Sequence, residues 1–352
     1  MIQSILETCL AGQRLTDTEA LRLLRSPDWT SIIAAAHQKR LQHHPQNTVS
    51  YCVFRVINYT NYCTIDCSFC SFKDDIESNR GYTLNLEQID AKVDEAQMYG
   101  ATEIFLQGGV NPNLPLQYYI DVLKHLTLNR RMTVRAFSPI ELYALSKKEG
   151  LTLTQLLDIL KDAGLSSVPG AGAEILTENM RQQLSPQKLL AKDWCDIMGT
   201  CHQMGLPGSS NIVFGSTEKD IDIIEHLSAI RTQQDKTQGF LSFIPWVFQQ
   251  QTKKFTTRHV PGWEYLRLLA LSRLYFDNIK NIEVSVMVLG KDIAELALMA
   301  GANDISSIVI EENVLKSQGL KTIQAAQKFI RGAGFEPLRR TLNYQDYNQG
   351  CI

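Results

Sequence analysis

The chain has 352 residues, of which 44% are hydrophobic and 20% are charged, and its formal net charge is −2. This is an ordinary globular composition, without the charge excess that indicates nucleic acid or an anionic membrane surface. We expect no signal peptide, because no long apolar run follows a basic N-terminal segment, and no membrane span, because no apolar stretch approaches ~18 residues. Eight cysteines in so long a chain are no disulfide framework, so we expect a protein of a reducing compartment, the cytoplasm.

The first predicted elements are helical. Asp17 and Thr18 precede an apolar pattern of helical period, and a second such pattern follows before the break at His43–Asn47. These patterns predict two helices between about residues 15 and 44. We therefore expect an N-terminal helical extension over residues 1–48.

From residue 49 onward, strand-like and helix-like segments alternate. The strand candidates are Tyr51–Asn58, Glu103–Gln107, Thr133–Phe137, Ser166–Pro169, Ser210–Phe214, Phe240–Pro245, Ile282–Val288 and Ser306–Glu311. The helix candidates include Leu86–Tyr99, Leu116–Leu126, Leu151–Lys161, Lys219–Gln233, Glu264–Phe276 and Leu320–Gly334. This alternation predicts an α/β fold with a parallel sheet, and eight strands predict a (β/α)8 barrel or a partly open version of one. We expect the barrel over residues 49–340 and a polar C-terminal tail over residues 341–352.

Three cysteines follow the first predicted strand with the spacing C-x3-C-x2-C: Cys63, Cys67 and Cys70. Three thiolates cannot by themselves complete a tetrahedral zinc site, so zinc would need a distant His or Cys. Iron–sulfur clusters usually have four Cys ligands, so three would leave one iron open to a small molecule. The loop also lies after a strand, where barrels carry their chemistry. The spacing resembles that of the radical S-adenosylmethionine (SAM) enzymes.

Two further loops could contact SAM. Gly108 and Gly109 follow the second strand and allow close approach of the backbone to a ligand, although a tight turn is the alternative. Glu174 ends the run Pro-Gly-Ala-Gly-Ala-Glu and is interpreted either as a ligand of SAM or as an acid at a helix start. Phe69 fits an aromatic residue beside a bound adenine, or a loop residue turned into the core.

Two charged residues lie near the third strand. Glu141 follows Ser138 and begins a predicted helix, so it either caps that helix or points at a polar, nucleoside-like substrate. Arg135 alternates with apolar neighbours and therefore faces either the barrel interior or the surrounding helices. An interior arginine would need an anionic partner.

Several stretches in order resemble the futalosine-pathway branch of the radical SAM enzymes, which makes menaquinone, and within it the cyclic dehypoxanthine futalosine synthase family. The stretches are Arg55–Asn61, Leu106–Pro112, Arg135–Glu141, Pro169–Leu176, Phe243–Trp246, Leu271–Arg273 and Ile310–Asn313. Aminofutalosine synthase and the radical subunits of deazaflavin synthase share the cysteine loop. The stretches Arg135–Glu141 and Pro169–Glu174 favour the cyclase family.

The resemblance implies two cofactors: a 4Fe–4S cluster on Cys63, Cys67 and Cys70, and SAM contacted by Phe69, Gly108, Gly109 and Glu174. In that family a 5′-deoxyadenosyl radical removes hydrogen from the ribose of dehypoxanthine futalosine. The substrate radical adds to its own benzoate ring, and loss of an electron and a proton gives a spiro-cyclic product.

The resemblance also implies substrate-binding roles for Arg135, Ser138 and Trp246, with Glu141 as the candidate base. A reducing donor such as flavodoxin or ferredoxin would supply electrons, and neither nucleic acid nor membrane is expected as a partner. Radical addition joining two substrates and a non-catalytic iron–sulfur or zinc-binding barrel remain alternatives. The chain departs from the family pattern at four positions: Phe54, Ser216, Gln250 and Val286.

Overall fold

The structure, a computed structural model, describes residues 2–249, 254–255, 257–309 and 320–347. The strands are β1 (Thr48–Asn58), β2 (Glu103–Gln107), β3 (Thr133–Ala136), β4 (Leu165–Ser167), β5 (Gly208–Phe214), β6 (Phe240–Val247), β7 (Asn281–Ile282), β8 (Asp304–Val309) and β9 (Glu336–Arg339). The helices are α1 (Ile2–Leu10), α2 (Asp17–Leu24), α3 (Trp29–His43), α4 (Leu86–Met98), α5 (Leu116–Lys124), α6 (Pro139–Glu149), α7 (Leu153–Asp162), α8 (Glu178–Leu184), α9 (Ala191–Gln203), α10 (Asp220–Thr237), α11 (Gly262–Tyr275), α12 (Val286–Met299) and α13 (Ile323–Gly332). None of the helices within these ranges is both long and apolar enough to span a bilayer.

The strands form two parallel sheets. One sheet has the order β4-β3-β2-β1-β8, with β9 beside the first half of β1, and the other has the order β5-β6-β7. Isolated parallel bridges join the two sheets at both seams, Val168 with Gly208 and Glu283 with Asp304. The predicted parallel α/β fold is confirmed, and its ring of eight strands is joined least at these two seams.

The N-terminal helices pack on the outside of the strands. α3 lies against α11, and α2 lies against α10 and α11. Thr16 caps α2, because its side chain accepts the Glu19 N–H while the Glu19 carboxylate accepts the Thr16 N–H. Arg14 pairs with Asp235 at 2.6 Å and with Asp277 at 2.8 Å. The two expected helices are present, and α1 precedes them.

Strand seven is the element on which sequence and structure differ most. The predicted strand Ile282–Val288 ends at Ile282, and α12 begins at Val286 after Ser285 in an extended conformation. A short apolar run does not distinguish a buried strand from the start of a buried helix. For strand eight, positions 310 and 311 lie outside the described residues.

Residues 340–347, which we call the floor segment, close the N-terminal end of the barrel. After β9 the chain turns inward, and the Arg340 guanidinium donates to both oxygens of Asp304, with Nη2 at 2.8 Å from Oδ1. The Tyr344 hydroxyl donates to Glu283 at 2.8 Å. The described part of the predicted polar tail is therefore packed against inward-facing residues of the strands.

Candidate functional site

A cavity of about 390 Å³ lies at the C-terminal ends of β1, β2, β5 and β6. Its lining includes most of the predicted site residues: Cys63, Cys67, Phe69, Cys70, Gly108, Gly109, Ser138, Glu174 and Trp246. A second cavity of about 500 Å³ lies between Ser71–Phe72 and Gln88–Lys92 and is lined by none of the cysteines. We take the first cavity as the candidate active site because all three cysteines of the motif line it.

The cysteine loop is held in place by backbone hydrogen bonds. The Cys63 sulfur accepts the N–H groups of Val110 at 3.3 Å and Ile65 at 3.4 Å. The Ser68 N–H donates to the Leu184 carbonyl at 2.9 Å, which ties the loop to the end of α8. Burial raises the pKa of the Cys63 thiol, while the two N–H groups act in the opposite direction.

The three cysteines fit a 4Fe–4S cluster. All are free thiols of intermediate exposure that line one wall of the cavity. Within the described ranges, no group of three His, Cys, Asp or Glu side chains is arranged to hold a single metal ion. A cluster takes its thiolates on separate irons, so its ligands need not converge on one point.

The glycines after β2 are required by packing of the loop. A Cβ on Gly109 would lie 2.2 Å from the Tyr62 carbonyl oxygen and 2.8 Å from the Cys63 Cβ, and one on Gly108 would lie 2.7 Å from the Tyr59 ring. The Gly109 N–H donates to the Thr60 carbonyl at 2.9 Å. The glycines thus let this loop sit directly against the cysteine loop.

Glu141 lies beneath the cavity wall and accepts four hydrogen bonds. Its Oε1 accepts the Tyr59 hydroxyl at 2.6 Å and the Gly108 N–H at 3.2 Å. Its Oε2 accepts the Ser138 N–H at 2.8 Å and the Ser138 hydroxyl at 2.5 Å. Burial raises the pKa of Glu141, and these donors act in the opposite direction. The carboxylate therefore joins the cap of α6 to the loop after β2.

Glu174 lies in the loop after β4 and does not open a helix as expected. Its φ is 40°, a left-handed conformation that cannot belong to a right-handed helix, and α8 begins only at Glu178. Its carboxylate accepts a hydrogen bond from Lys188 Nζ at 3.0 Å, with both side chains 11% exposed. Burial alone would lower the pKa of Lys188, but Glu174 and the nearby Cys67 raise it. The pair places a cation beside the cysteine loop.

Phe69 belongs to an aromatic group at the cavity mouth. Its ring lies 5.2 Å from that of Phe248 and 6.1 Å from that of Phe255, and Lys188 Nζ is 5.4 Å from its centroid. Phe69 remains half-buried and lines the cavity. Its expected place beside an adenine stays a prediction.

The structure separates the three expected substrate-binding residues. Ser138 and Trp246 line the cavity, and Ser138 also caps α6. Arg135 lies deeper in the barrel, where Nε donates to Ser167 Oγ at 3.2 Å and Nη2 donates to the Leu342 carbonyl at 2.7 Å. Its side chain faces the barrel interior, one of the two orientations that the sequence allowed.

Several cavity residues were not found from the sequence. Asn58 ends β1 and Asn211 lies on β5, and both line the cavity together with Gln107. Asn58 could have been predicted as a site residue, because it is the last residue of a predicted strand and barrel sites form at strand ends. Lys188 lies in an irregular loop and had no periodic signal.

The departures from the family pattern lie in different surroundings. The Ser216 hydroxyl donates to Glu218 at 2.6 Å. Val286 is buried at the start of α12, and Phe54 lies against Phe105 on β2. Gln250 lies outside the described residues.

The fold and site together define a class of protein. A ring of parallel strands carries a C-x3-C-x2-C loop after its first strand, and that loop lines a cavity at the strands' C-terminal ends. This combination is that of an enzyme using a 4Fe–4S cluster and SAM. The sequence matches the Radical SAM superfamily over residues 57–230 and the CofH/MqnC C-terminal region over residues 237–350. The chain belongs to the radical SAM superfamily, in the group with this C-terminal region.

Related enzymes of two kinds match along most of the chain. It is 36% identical to cyclic dehypoxanthine futalosine synthase of Halalkalibacterium halodurans over 98% of this chain and 94% of the relative. The corresponding Streptomyces coelicolor protein is 32% identical over 98% of this chain and 88% of the relative. The 5-amino-6-(D-ribitylamino)uracil–L-tyrosine 4-hydroxyphenyl transferase of Methanococcus aeolicus is 37% identical over 85% of this chain and 86% of the relative.

Two crystal structures share the fold. Methylornithine synthase (PylB) matches with a TM-score of 0.73 and 18% identity, covering 95% of this chain and 97% of that one. HydG, a maturase of the [FeFe]-hydrogenase, matches with a TM-score of 0.77 and 16% identity, covering 97% of this chain and 76% of HydG. Both likenesses cover almost all of this chain and concern its fold.

Proposed function

We propose that this enzyme converts dehypoxanthine futalosine to cyclic dehypoxanthine futalosine in menaquinone biosynthesis. The observation that carries the proposal is the 36% identity to the H. halodurans cyclase across 98% of this chain. A match of that extent spans the cysteine loop, the cavity and the floor segment together. It therefore supports a common reaction more strongly than the cysteine loop alone, which many radical SAM enzymes share.

The cofactors would be held by residues on the cysteine side of the cavity. Cys63, Cys67 and Cys70 would bind the cluster, which together with bound SAM supplies the 5′-deoxyadenosyl radical. The carbonyl groups of Gly108 and Gly109 would accept from the amino group of SAM, since the N–H groups of both residues donate within the protein.

The Glu174–Lys188 pair and Phe69 would hold the two ends of SAM. Lys188 would pair with the carboxylate of the methionine moiety, and Glu174 would accept a hydrogen bond from a ribose hydroxyl or an ammonium group. The half-buried ring of Phe69 offers a surface for the adenine.

The remaining walls would hold the substrate and exclude water. Ser138 and Trp246 lie there with the amides of Asn58, Gln107 and Asn211, which can bind sugar hydroxyl groups. Glu141, expected as the base, has all four acceptor positions occupied by the protein, so we propose that it positions the loops instead. We further propose that the enzyme works in the cytoplasm with a donor such as flavodoxin or ferredoxin.

A second function has its own support. The M. aeolicus transferase is 37% identical over 85% of this chain, and its name gives L-tyrosine and 5-amino-6-(D-ribitylamino)uracil as reactants. Such a reaction joins two substrates, whereas the cyclase closes a ring within one.

Product analysis tests the two functions against each other. Anaerobically reconstituted protein is incubated with SAM and dithionite, either with dehypoxanthine futalosine or with L-tyrosine and 5-amino-6-(D-ribitylamino)uracil. We expect the cyclic product in the first mixture only, with 5′-deoxyadenosine and methionine formed there above the level that SAM cleavage without substrate gives. Cys63→Ala, Cys67→Ala and Cys70→Ala should abolish iron binding and product, while Cys195→Ala and Cys201→Ala should retain both. A coupled product in the second mixture and none in the first would overturn the proposal.

A further inference from the structure

The inward face of β1 runs from the floor of the barrel to the cavity. Side chains alternate along a strand, so residues 52, 54, 56 and 58 share one face. Cys52 donates to the floor carboxylate Glu103 at 2.8 Å, and Asn58 lines the cavity at the other end of the strand. Phe54 and Val56 therefore point into the barrel between these two levels.

The neighbouring strand repeats this order. On β2, Glu103 lies at the floor, Gln107 lines the cavity, and Phe105 lies between them on the same face. The rings of Phe54 and Phe105 are 6.1 Å apart and nearly perpendicular. Because a strand rises about 3.3 Å per residue, about 13 Å separates Gln107 from Glu103 along β2.

The inward residues between floor and cavity are not fully buried. Phe54, Val56 and Phe105 are of intermediate exposure, and so is Ile244 on β6, which lies between floor residue Ser242 and cavity residue Trp246. A barrel filled by its own side chains would bury residues at mid-strand. Open space therefore lies inside the barrel beside Phe54, Val56, Phe105 and Ile244. We call this space the aryl chamber.

An arginine borders the aryl chamber from the floor. Arg135 pairs with Phe105 in the register of β2 and β3, so the two side chains are neighbours on the inward face. Arg135 is 8% exposed. Its Nε and Nη2 donate to Ser167 and Leu342, whereas its Nη1 has no hydrogen-bond partner among the described residues. A buried guanidinium with an unused N–H group suits an anionic ligand.

The carboxylates near Arg135 are already engaged by other donors. Glu103 accepts the Leu342 N–H at 2.7 Å in addition to the Cys52 thiol. Glu283 accepts the Tyr344 and Ser242 hydroxyls, and Asp304 is paired with Arg340. The carboxylates of the floor are therefore engaged without a hydrogen bond from the Nη1 group of Arg135.

We propose that the aryl chamber holds the aromatic ring of the substrate and that Arg135 binds the carboxylate on that ring. The inference rests on the proposed function, because dehypoxanthine futalosine carries a benzoate. Its ribose would lie at the level of Gln107 and Asn211, next to the cysteine loop. Tyrosine placed with its ring in the chamber would offer Arg135 an uncharged phenol, because its only carboxylate is at the α-carbon, so in that orientation the arginine would favour an aryl carboxylate over tyrosine.

A ligand pair tests this role apart from turnover. Calorimetric binding is measured with dehypoxanthine futalosine and with its analogue in which a carboxamide replaces the benzoate carboxylate. The protein should bind the carboxylate about 10- to 100-fold more tightly, the range of a charge-assisted hydrogen bond. In Arg135→Gln this preference should vanish, and in Arg135→Lys part of it should remain.

Arg55→Gln is the matched control, because Arg55 is a buried arginine on β1 that faces α4 and donates to Glu95 at 2.6 Å. It should leave the carboxylate preference unchanged. If Arg135 had a purely structural role, Arg135→Gln would bind both ligands more weakly by the same factor. That result would overturn the inference. Equal binding of both ligands by the unchanged protein would also overturn it, even if cyclic product forms. Strong carboxylate preference without cyclic product would support the inference and refute the proposed function.

Discussion

Each oxygen of the Glu141 carboxylate is held by two protein donors. This arrangement differs from that of a general base, which must reach the proton that it removes. Tyr59, Gly108 and Ser138 come from three separate loops, so the carboxylate fixes their relative positions. Ser138 and Gly108 also line the cavity, and the proposal that Glu141 is a positioning residue for the site rests on these contacts.

Glu141→Gln should therefore destabilise the protein as well as reduce its activity. The amide replaces one acceptor oxygen by an NH2 group. The hydroxyl bonded to that oxygen can turn to accept from the NH2 group, but the buried backbone N–H loses its acceptor, at a cost of about 1–3 kcal/mol in the free energy of unfolding. Because Gly108 is one of the groups attached, SAM cleavage without substrate should fall together with cyclisation. Urea denaturation and 5′-deoxyadenosine release measure the two effects.

The control for this variant is Glu149→Gln at the end of the same helix. Glu149 is partly exposed and lies 3.8 Å from Lys148, so its replacement should change neither stability nor SAM cleavage. If Glu141→Gln instead kept full stability and SAM cleavage while cyclisation fell about a hundredfold, the scale of a lost general base, Glu141 would be the base.

Local sequence patterns predicted the elements whose signals are local. β2 was predicted with its observed bounds, and the capping pattern at Ser138 and Glu141 marked the start of α6. Strand seven was not predicted correctly, because β7 pairs with β6 over two residues only and its apolar run continues into α12. β9 was missed, since four residues of mixed polarity carry no strand signal without their partner β1.

The site was predictable where one loop carries its residues in succession. The cysteines were proposed from their spacing and the glycines from their place after the second predicted strand, and both line the cavity. Lys188 and the floor contacts were not predicted, because contacts such as Leu342 with Glu103 join residues distant in sequence. The reason for Gly108 and Gly109 also differs from the expectation, since neighbouring protein atoms, besides any ligand, require them.

Gly109→Ala should impair cluster binding. The added Cβ would lie 2.2 Å from the Tyr62 carbonyl oxygen, a backbone atom that cannot move without the cysteine loop. We expect iron content well below the about four irons of a full cluster after anaerobic reconstitution, with helix content unchanged by circular dichroism. Gly332→Ala is the control, because Gly332 ends α13 with no atom within 4 Å of its added Cβ. Full iron content in Gly109→Ala would contradict the argument.

At the scale of the whole molecule, the floor segment joins the two sides of the seam between β7 and β8. Among the described residues, the strand pairing there is an isolated bridge between Glu283 and Asp304, with further hydrogen bonds from Asn303 to the end of β7. Arg340 donates to Asp304 and lies 3.7 Å from Glu283, while its guanidinium stacks 3.8 Å from the Tyr344 ring. The C-terminal segment thus cross-links the seam with a buried cation, and it also places the Leu342 carbonyl that orients Arg135.

Arg340→Met should destabilise the protein strongly and in a pH-dependent way. Removing the cation leaves Asp304 and Glu283 buried without it, a change that typically costs about 3–5 kcal/mol. Burial already raises the pKa of Asp304, and Arg340 acts against that shift. Without Arg340, the pKa of Asp304 in the folded protein rises further above its value in the unfolded chain. The folded protein then favours the protonated form of Asp304. The loss in the free energy of unfolding caused by Arg340→Met must therefore grow as pH rises.

Urea denaturation of the reconstituted protein at pH 5.5 and pH 8 measures this deficit. We expect the free energy of unfolding of Arg340→Met to be closer to that of the unchanged protein at pH 5.5 than at pH 8. Arg331→Met, at an exposed position on α13, should match the unchanged protein at both values. A deficit of equal size at both pH values would mean that Arg340 stabilises the seam through packing on Tyr344 and not by compensating the buried carboxylates.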